Sequence, residues 1–547
     1  MDTDVVEVIF RPGRPPEEGD YPGLGYRKTT DAGMVIERDV AVTLRDGVTV
    51  YTDLYRPDAS DGGFPALIAW GPYGKHYGTR RYERYPNRAS VKDEWLSPYA
   101  IFEGPDPAYW CAHGYAVLVA DNRGSWYSEG DLHIGGAQEA EGAYDLIEWA
   151  AAQDWCDGKI GMTGVSYLAI IQWLAAPLRP PHLAAINPWE GFMDPYREAF
   201  AHGAIRETGW SPPWNHGLCS KGRVEDMAAM IERHPLMNAY WESKIPPVEG
   251  IEVPAYVVAS WADQGLHTRG TLEAFKRLGS AQKWLDVHGR KKWEHYHRPE
   301  SVDYVRRFFD RFLKGVDNDW EQRPTVRLEI RDRHETSEVH DAEGWPPPET
   351  RYEPLYLDAG TGSLMPSQPS DEAEVRYAAE EDDGRATFGI TFDRDAQLTG
   401  HMKLRLWVET QGGDDMDLFV AVEKYDRDGN FVGFPFSSAW DDGPVALGWL
   451  RASHRELDPE RSTPEQPWLL HRRELALPAG EATPVEIEIW PSGTLFRASE
   501  QLRLVVSGSD IHAPLHSHVD LRNSGVHVIR TGGRYDSQLL VPRIPGA

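Results

Sequence analysis

Cysteine is scarce: three in 547 residues, Cys111, Cys156 and Cys219, with no CxxC pair. That excludes a disulfide framework and a thiolate zinc site, and it suits a reducing compartment. Long apolar runs are also missing. No stretch of about eighteen apolar residues occurs, so no transmembrane helix is expected. The first residues, MDTDVVEVIFRPGRPPEEGD, are acidic and broken by proline. They lack the basic stretch and apolar core of a secretory signal, which makes a cytoplasmic location the expectation. Basic charge is in deficit, with 57 Lys and Arg against 86 Asp and Glu and a formal net charge of −29. Phosphate recognition needs a concentrated basic face, so neither nucleic acid nor an anionic membrane is an expected partner.

What is present is the balance of a globular protein, 41% hydrophobic and 26% charged, long enough for two or three domains. Short apolar runs alternate with helical spacings through residues 1–345, which predicts an α/β domain built on a mostly parallel sheet. Ala66–Trp70, Ala116–Asp121, Lys159–Thr163, Leu183–Asn187, Ala255–Ser260 and Trp284–Val287 read as its strands. The rhythm breaks over 190–253, a stretch rich in Trp, Pro, Met and His that reads as a helical cap over the C-terminal edge of the sheet. The α/β part thus divides into 1–189 and 254–345. After the Pro-rich Gly344–Glu349, period-two alternation at Met402, Leu404, Leu406 and Val408, and again at Val485, Ile487 and Ile489, predicts an all-β antiparallel sandwich over 350–547.

Gly164-Val165-Ser166-Tyr167-Leu168-Ala169 follows the strand KIGMT and precedes an apolar helix, Leu168–Ala176. Strand, tight turn, serine and helix is the context of a nucleophile elbow, in which the serine is exposed above an α/β-hydrolase sheet and the helix aims its first amides at a substrate oxygen. The usual glycine two places after the serine is here Leu168. In this architecture the acid follows a later strand and the base the last one. Asp263 follows Ala255–Ser260 and would orient an imidazole; His288 follows Trp284–Val287 and would take the serine proton. Asp263 also suits a plain helix N-cap, and His295 or His297 could replace His288 as base.

An ordered series of further motifs resembles the CocE/NonD hydrolases, the cocaine-esterase and X-Pro dipeptidyl-peptidase group. These are Asp46–Pro57 (DGVTVYTDLYRP), Gly71-Pro72-Tyr73, Asp121-Asn122-Arg123-Gly124 with Ser128-Glu129-Gly130, the Gly-Val-Ser-Tyr-Leu elbow, and Gly532–Ser537 (GGRYDS). The resemblance runs nearly end to end. It implies an α/β-hydrolase domain with a helical cap and a C-terminal jelly-roll, and homo-oligomers. It also implies an oxyanion hole made by the Tyr167 backbone N–H and the Tyr73 hydroxyl. Two positions depart from the family pattern: Ala169 stands where the elbow has glycine, and Val-His-Gly-Arg-Lys-Lys-Trp stands where the family has Gly-Pro-Trp-x-His.

The expected function is therefore hydrolysis of a small-molecule ester or amide through an acyl-enzyme on Ser166, with no cofactor and no metal. X-Pro dipeptidyl aminopeptidase or acylase activity is the enzymatic alternative. A glycan-binding jelly-roll protein and a catalytically dead scaffold are alternatives of other classes. Trp126, Trp189, Trp210 and Trp214 are candidates to line an apolar pocket, or equally cap core. Asp194 and Glu198 could anchor a substrate amine or form a solvated helix face. Asp426–Asn430 opens like a calcium loop but has Ser437 at the twelfth position, which favours a hairpin turn. His512, His516 and His518 share a polar loop of the β-domain, where a metal role is an open alternative that no other residue pattern supports.

Overall fold

The computed structural model describes residues 7–17, 19–59, 62–381, 383–512 and 517–546; His516 and the first six residues lie outside that set. The α/β sheet is built from β1 (Met34–Thr43), β2 (Thr49–Pro57), β3 (Phe64–Gly71), β4 (Ala116–Asp121), β5 (Cys156–Val165), β6 (Leu183–Trp189), β7 (Ala255–Ser260), β8 (Lys283–His288), β9 (Val326–Arg333) and β10 (Thr336–Ala342). Their order across the sheet is β1-β2-β4-β3-β5-β6-β7-β8-β9-β10. From β4 to β9 neighbours run parallel, and the outer pairs are antiparallel. β4 (AVLVAD) and β7 (AYVVAS) are buried at every position, as strands covered on both faces must be.

Helices α1 (Ala137–Ala151), α2 (Tyr167–Ala175), α3 (Thr268–Arg277), α4 (Lys292–His297) and α5 (Pro299–Phe312) follow strands or one another around this sheet. α1 turns Ala143, Leu146, Ile147 and Ala150 into the core, and α2 is buried all round. The insertion 190–253 is not purely helical as expected. Short helices at Ser211–His216, Met227–Arg233 and Ala239–Glu242 are mixed with a two-residue hairpin and with strand Arg223–Glu225, which pairs with Phe10–Pro12. Pro212, Pro213, Pro235, Pro246 and Pro247 keep any helix there short.

Beyond the α/β part, an antiparallel β-domain has its own core, with Leu404, Leu406, Val408, Val485, Ile487 and Ile489 completely buried or nearly so. Its long strand Ala396–Gln411 pairs with Thr483–Phe496, Val526–Thr531 and Gln538–Arg543. The two domains touch where Trp261, just past β7, donates its Nε1–H to Glu329 O at 2.7 Å and packs against Gly493.

Candidate active site

Ser166 sits between β5 and α2 with φ +58°, ψ −114°, the strained turn expected of an elbow. Gly164 makes the turn possible: its φ is +148°, and a Cβ there would lie 2.5 Å from Leu168 Cβ. The Ser166 amide is fixed to Trp189 O at 2.9 Å. Its Oγ is 3.2 Å from the Nε2 of His267. The other nitrogen of that ring, Nδ1, is bonded to Asp263 Oδ2. With Nδ1–H donating to the carboxylate, Nε2 is left as the acceptor facing the serine.

Asp263 and His267 lie on one turn that leads from β7 into α3, and the amides of Leu266, His267 and Thr268 all converge on Asp263 O at 3.2–3.3 Å. Four-residue spacing on that turn brings the two side chains together. Lys292, the first residue of α4, adds its Nζ 3.1 Å from Asp263 Oδ2 and 3.2 Å from His267 Nδ1. Burial alone would raise the Asp263 carboxyl; the Lys292 ammonium and the His267 ring outweigh it and hold the group well below the usual carboxylate range. Asp263 Oδ1 has no hydrogen-bond partner among the described residues.

Ser166 opens into a cavity of about 250 Å³, whose walls include Tyr73, Arg81, Phe102, Glu103, Trp214 and Lys292. The Tyr73 hydroxyl accepts from Trp214 Nε1 at 3.4 Å, and burial pushes its pKa well above the ordinary tyrosine value, so it stays a donor. The Tyr167 amide, first in α2, has no acceptor within the helix. The Tyr167 hydroxyl points elsewhere, donating to Glu139 at 3.2 Å.

Three comparisons with known proteins bear on this geometry. Residues 46–297 match the model of the X-Pro dipeptidyl-peptidase (S15) family, and residues 318–540 match that of the X-Pro dipeptidyl-peptidase C-terminal non-catalytic domain. A solved CocE/NonD family hydrolase from Staphylococcus aureus superposes with TM-score 0.92 at 41% identity, covering 95% of this chain and 97% of that one. The chain belongs to the CocE/NonD hydrolases. Among curated proteins, the cocaine esterase of Rhodococcus sp. is 27% identical, covering 88% of this chain and 92% of its own length. The Xaa-Pro dipeptidyl-peptidase of Lactobacillus helveticus is 24% identical, and the match takes in 63% of this chain and 52% of that protein.

In this CocE/NonD chain the histidine expected at the site is not the one found there. His288 is the last residue of β8, in register with Ser260, and its carbonyl still accepts from the Trp261 amide at 2.9 Å. Its Nδ1 accepts from the Arg290 amide at 3.2 Å, which leaves Nε2–H to donate to Glu190 Oε1 at 3.1 Å. Burial lowers the His288 pKa to about 4 and raises that of Glu190 well above the ordinary value, so burial pushes both groups toward their neutral forms. The alternatives are no nearer: His295 packs on His288 at 4.1 Å between ring centroids, and His297 meets the Tyr82 hydroxyl at 2.7 Å. His267 was missed because the base was sought beyond the last strand. The available signal was the spacing Asp263-x-x-x-His267, a pair that a single turn brings into contact.

The four tryptophans divide. Trp210 and Trp214 stack at 5.1 Å and line the Ser166 cavity. Trp126 does not line it; it is 1% exposed and donates to Pro72 O at 3.1 Å. Trp189 is held by Asn187 at 2.9 Å and packs on Tyr296 away from the cavity. Asp194 and Glu198 are neither amine anchors nor a solvated face: Asp194 is paired with Arg197 at 2.5 Å and Glu198 with Arg269 at 2.6 Å, all buried. Asp426 accepts from the Asp428 and Asn430 amides at 2.9 and 2.8 Å, as a hairpin turn does. His518 bonds His202 and Asp510 at 2.9 and 2.7 Å, and His512 bonds Glu423 at 2.9 Å.

The family's elbow glycine is replaced by Ala169, and the neighbouring chain makes room for it. Gly191 lies opposite, where an added Cβ would come 2.9 Å from the Ala169 methyl.

Proposed function

We propose that the chain hydrolyses carboxylic esters through an acyl-enzyme on Ser166, with His267 as general base and Asp263 as its orienting acid. The observation that carries this reading is the line from Ser166 Oγ to His267 Nε2, 3.2 Å, continued from Nδ1 to Asp263. His267 takes the hydroxyl proton as Oγ attacks the ester carbonyl, then returns it to the departing alcohol; a water repeats the cycle on the acyl-enzyme. The Tyr167 amide and the Tyr73 hydroxyl receive the negative charge of the tetrahedral intermediate, each such donor being worth about 100- to 1,000-fold in rate. Lys292 keeps Asp263 ionised, so the imidazolium formed in the first step meets a carboxylate rather than a carboxylic acid.

Ester rather than X-Pro peptide hydrolysis is favoured by the cavity's polar groups. A dipeptidyl aminopeptidase must hold a substrate ammonium. The acid on the cavity wall, Glu103, is raised by burial to a pKa of about 8, and the cap acids Asp194 and Glu198 are already paired with arginines. A reducing location suits the three unpaired cysteines, and no helix among the described residues is long and apolar enough to cross a membrane. Labelling with a fluorophosphonate followed by mass spectrometry should modify Ser166, and Ser166→Ala should abolish both labelling and turnover of short-chain 4-nitrophenyl esters. Modification at another residue, or turnover of Xaa-Pro anilides in preference to esters, would overturn the proposal.

A further inference from the structure

The cavity beside Ser166 has an electrostatic character opposite to that of the molecule. The chain carries a net charge of −29, yet the walls of this cavity present Arg81, Arg84 and Lys292 against one acid, Glu103. Lys292 is neutralised by Asp263 at 3.1 Å. Glu103 accepts from Trp293 Nε1 at 2.8 Å and, with a pKa raised by burial to about 8, is mostly protonated near neutral pH. Arg84 is exposed and donates to the Tyr77 hydroxyl at 3.0 Å.

Arg81 has no such partner. Its guanidinium lies 4.6 Å from the centre of the Tyr73 ring and 5.7 Å from that of Phe102. Its Nε is buried without a hydrogen bond, and no carboxylate comes within ion-pair distance of it among the described residues. Burial and the neighbouring Arg84 both work against its charge. A guanidinium does not lose its proton in a protein, so these costs are borne as an unpaired cation rather than relieved by titration. Without an ion-pair partner, packed among three aromatic rings, Tyr73, Tyr77 and Phe102, and set beside the nucleophile, it presents a planar donor fork of the kind that fits a carboxylate.

We propose that the preferred substrate is an ester carrying a carboxylate, bound by Arg81 with Arg84 behind it. The inference rests on the ester-hydrolase reading above and names its substrate class. The net positive cavity in a strongly acidic molecule singles out an anion from its neutral analogue at the site itself, and repels the ammonium that an aminopeptidase substrate would bring. Aromatic walls, Tyr73, Phe102 and Trp214, suit the hydrocarbon between ester and carboxylate.

The test compares matched esters at low ionic strength. Mono-4-nitrophenyl succinate and glutarate place the carboxylate on the acyl side, with 4-nitrophenyl butyrate as the neutral control; 4-acetoxybenzoate against phenyl acetate places it on the leaving group. One of the two anionic arms should exceed its control in kcat/KM by about 10- to 100-fold, the range of a charge-assisted hydrogen bond. Arg81→Met should erase that preference mainly through KM, lowering kcat/KM for the anionic esters by about tenfold more than for the neutral ones. Arg81→Lys, which keeps charge but not the fork, should retain part of it. Should Arg81→Met not fold, the wild-type protein still decides: glutarate should inhibit butyrate-ester hydrolysis at a concentration at least about tenfold lower than glutaramide. Neutral esters turned over as well as both anionic arms, or an Arg81→Met variant losing all esters alike, would overturn this inference while leaving the hydrolase reading intact. Loss of every ester together with an unlabelled Ser166 would overturn both.

Discussion

At the scale of single residues, two histidines separate the proposed base from a structural one. His267 stands 3.2 Å from Ser166 Oγ, whereas His288 is engaged by Glu190 and the Arg290 amide. His267→Ala should therefore lower kcat by about 10,000-fold on a 4-nitrophenyl ester. His288→Ala should keep kcat/KM within about threefold while lowering stability by roughly 1–3 kcal/mol, read as a drop in the thermal midpoint. Glu103 offers a second contrast, through pH. Its folded pKa, raised by burial to about 8, lies above its ordinary value of 4.5. A raised folded pKa stabilises fully below the unfolded pKa, and that contribution is lost as pH climbs toward the folded one. Glu103→Gln keeps an acceptor for Trp293 but carries no proton to lose. The difference in midpoint, variant minus wild type, should then grow from pH 5 to pH 8; a difference that stays flat would contradict the burial argument.

At the scale of elements, strands covered on both faces were readable directly, because β4 and β7 are unbroken apolar runs bounded by turns. The elbow was readable for the same reason, being a local strand-turn-helix pattern. The base was not, since the choice between His267 and His288 depends on how far each emerges beyond the sheet, and register between β7 and β8 is a tertiary fact. The insertion 190–253 was legible as an interruption but not in content: its strand Arg223–Glu225 pairs with Phe10–Pro12, more than 200 residues away in the chain. The accommodation of Ala169 was likewise invisible, as it depends on Gly191 lying across from it. Gly191→Ala would bring two methyls to 2.9 Å and should cost about 1–3 kcal/mol, with the double variant Ala169→Gly, Gly191→Ala recovering part of it, since the Ile170 amide at 3.1 Å still crowds the new methyl. Chemical denaturation of the four proteins measures that coupling.

At the scale of the whole molecule, the β-domain reaches the turn that carries Asp263 and His267. The Ser437 amide donates to Ala262 O at 2.6 Å, Gln264 Nε2 donates to Pro491 O at 3.0 Å, and the Leu447 amide donates to Gln264 Oε1 at 3.2 Å. The domain that matches a non-catalytic family model thus braces the proposed catalytic turn from outside. Gln264→Ala should leave the chain folded by circular dichroism and lower kcat by about tenfold with KM within about twofold, because the variant loosens the base without touching the cavity wall. A matching loss in KM would place the effect in substrate binding instead.

The four-residue separation of Asp263 and His267 has a further outcome for assembly. Most of the work of bringing three groups together is replaced by a single long-distance meeting, that of the elbow with the one turn that leads from β7 into α3. Parting of β5 from β7 would strand the hydroxyl alone and leave the acid-base couple on one turn, so recovery from partial unfolding needs one docking event rather than two.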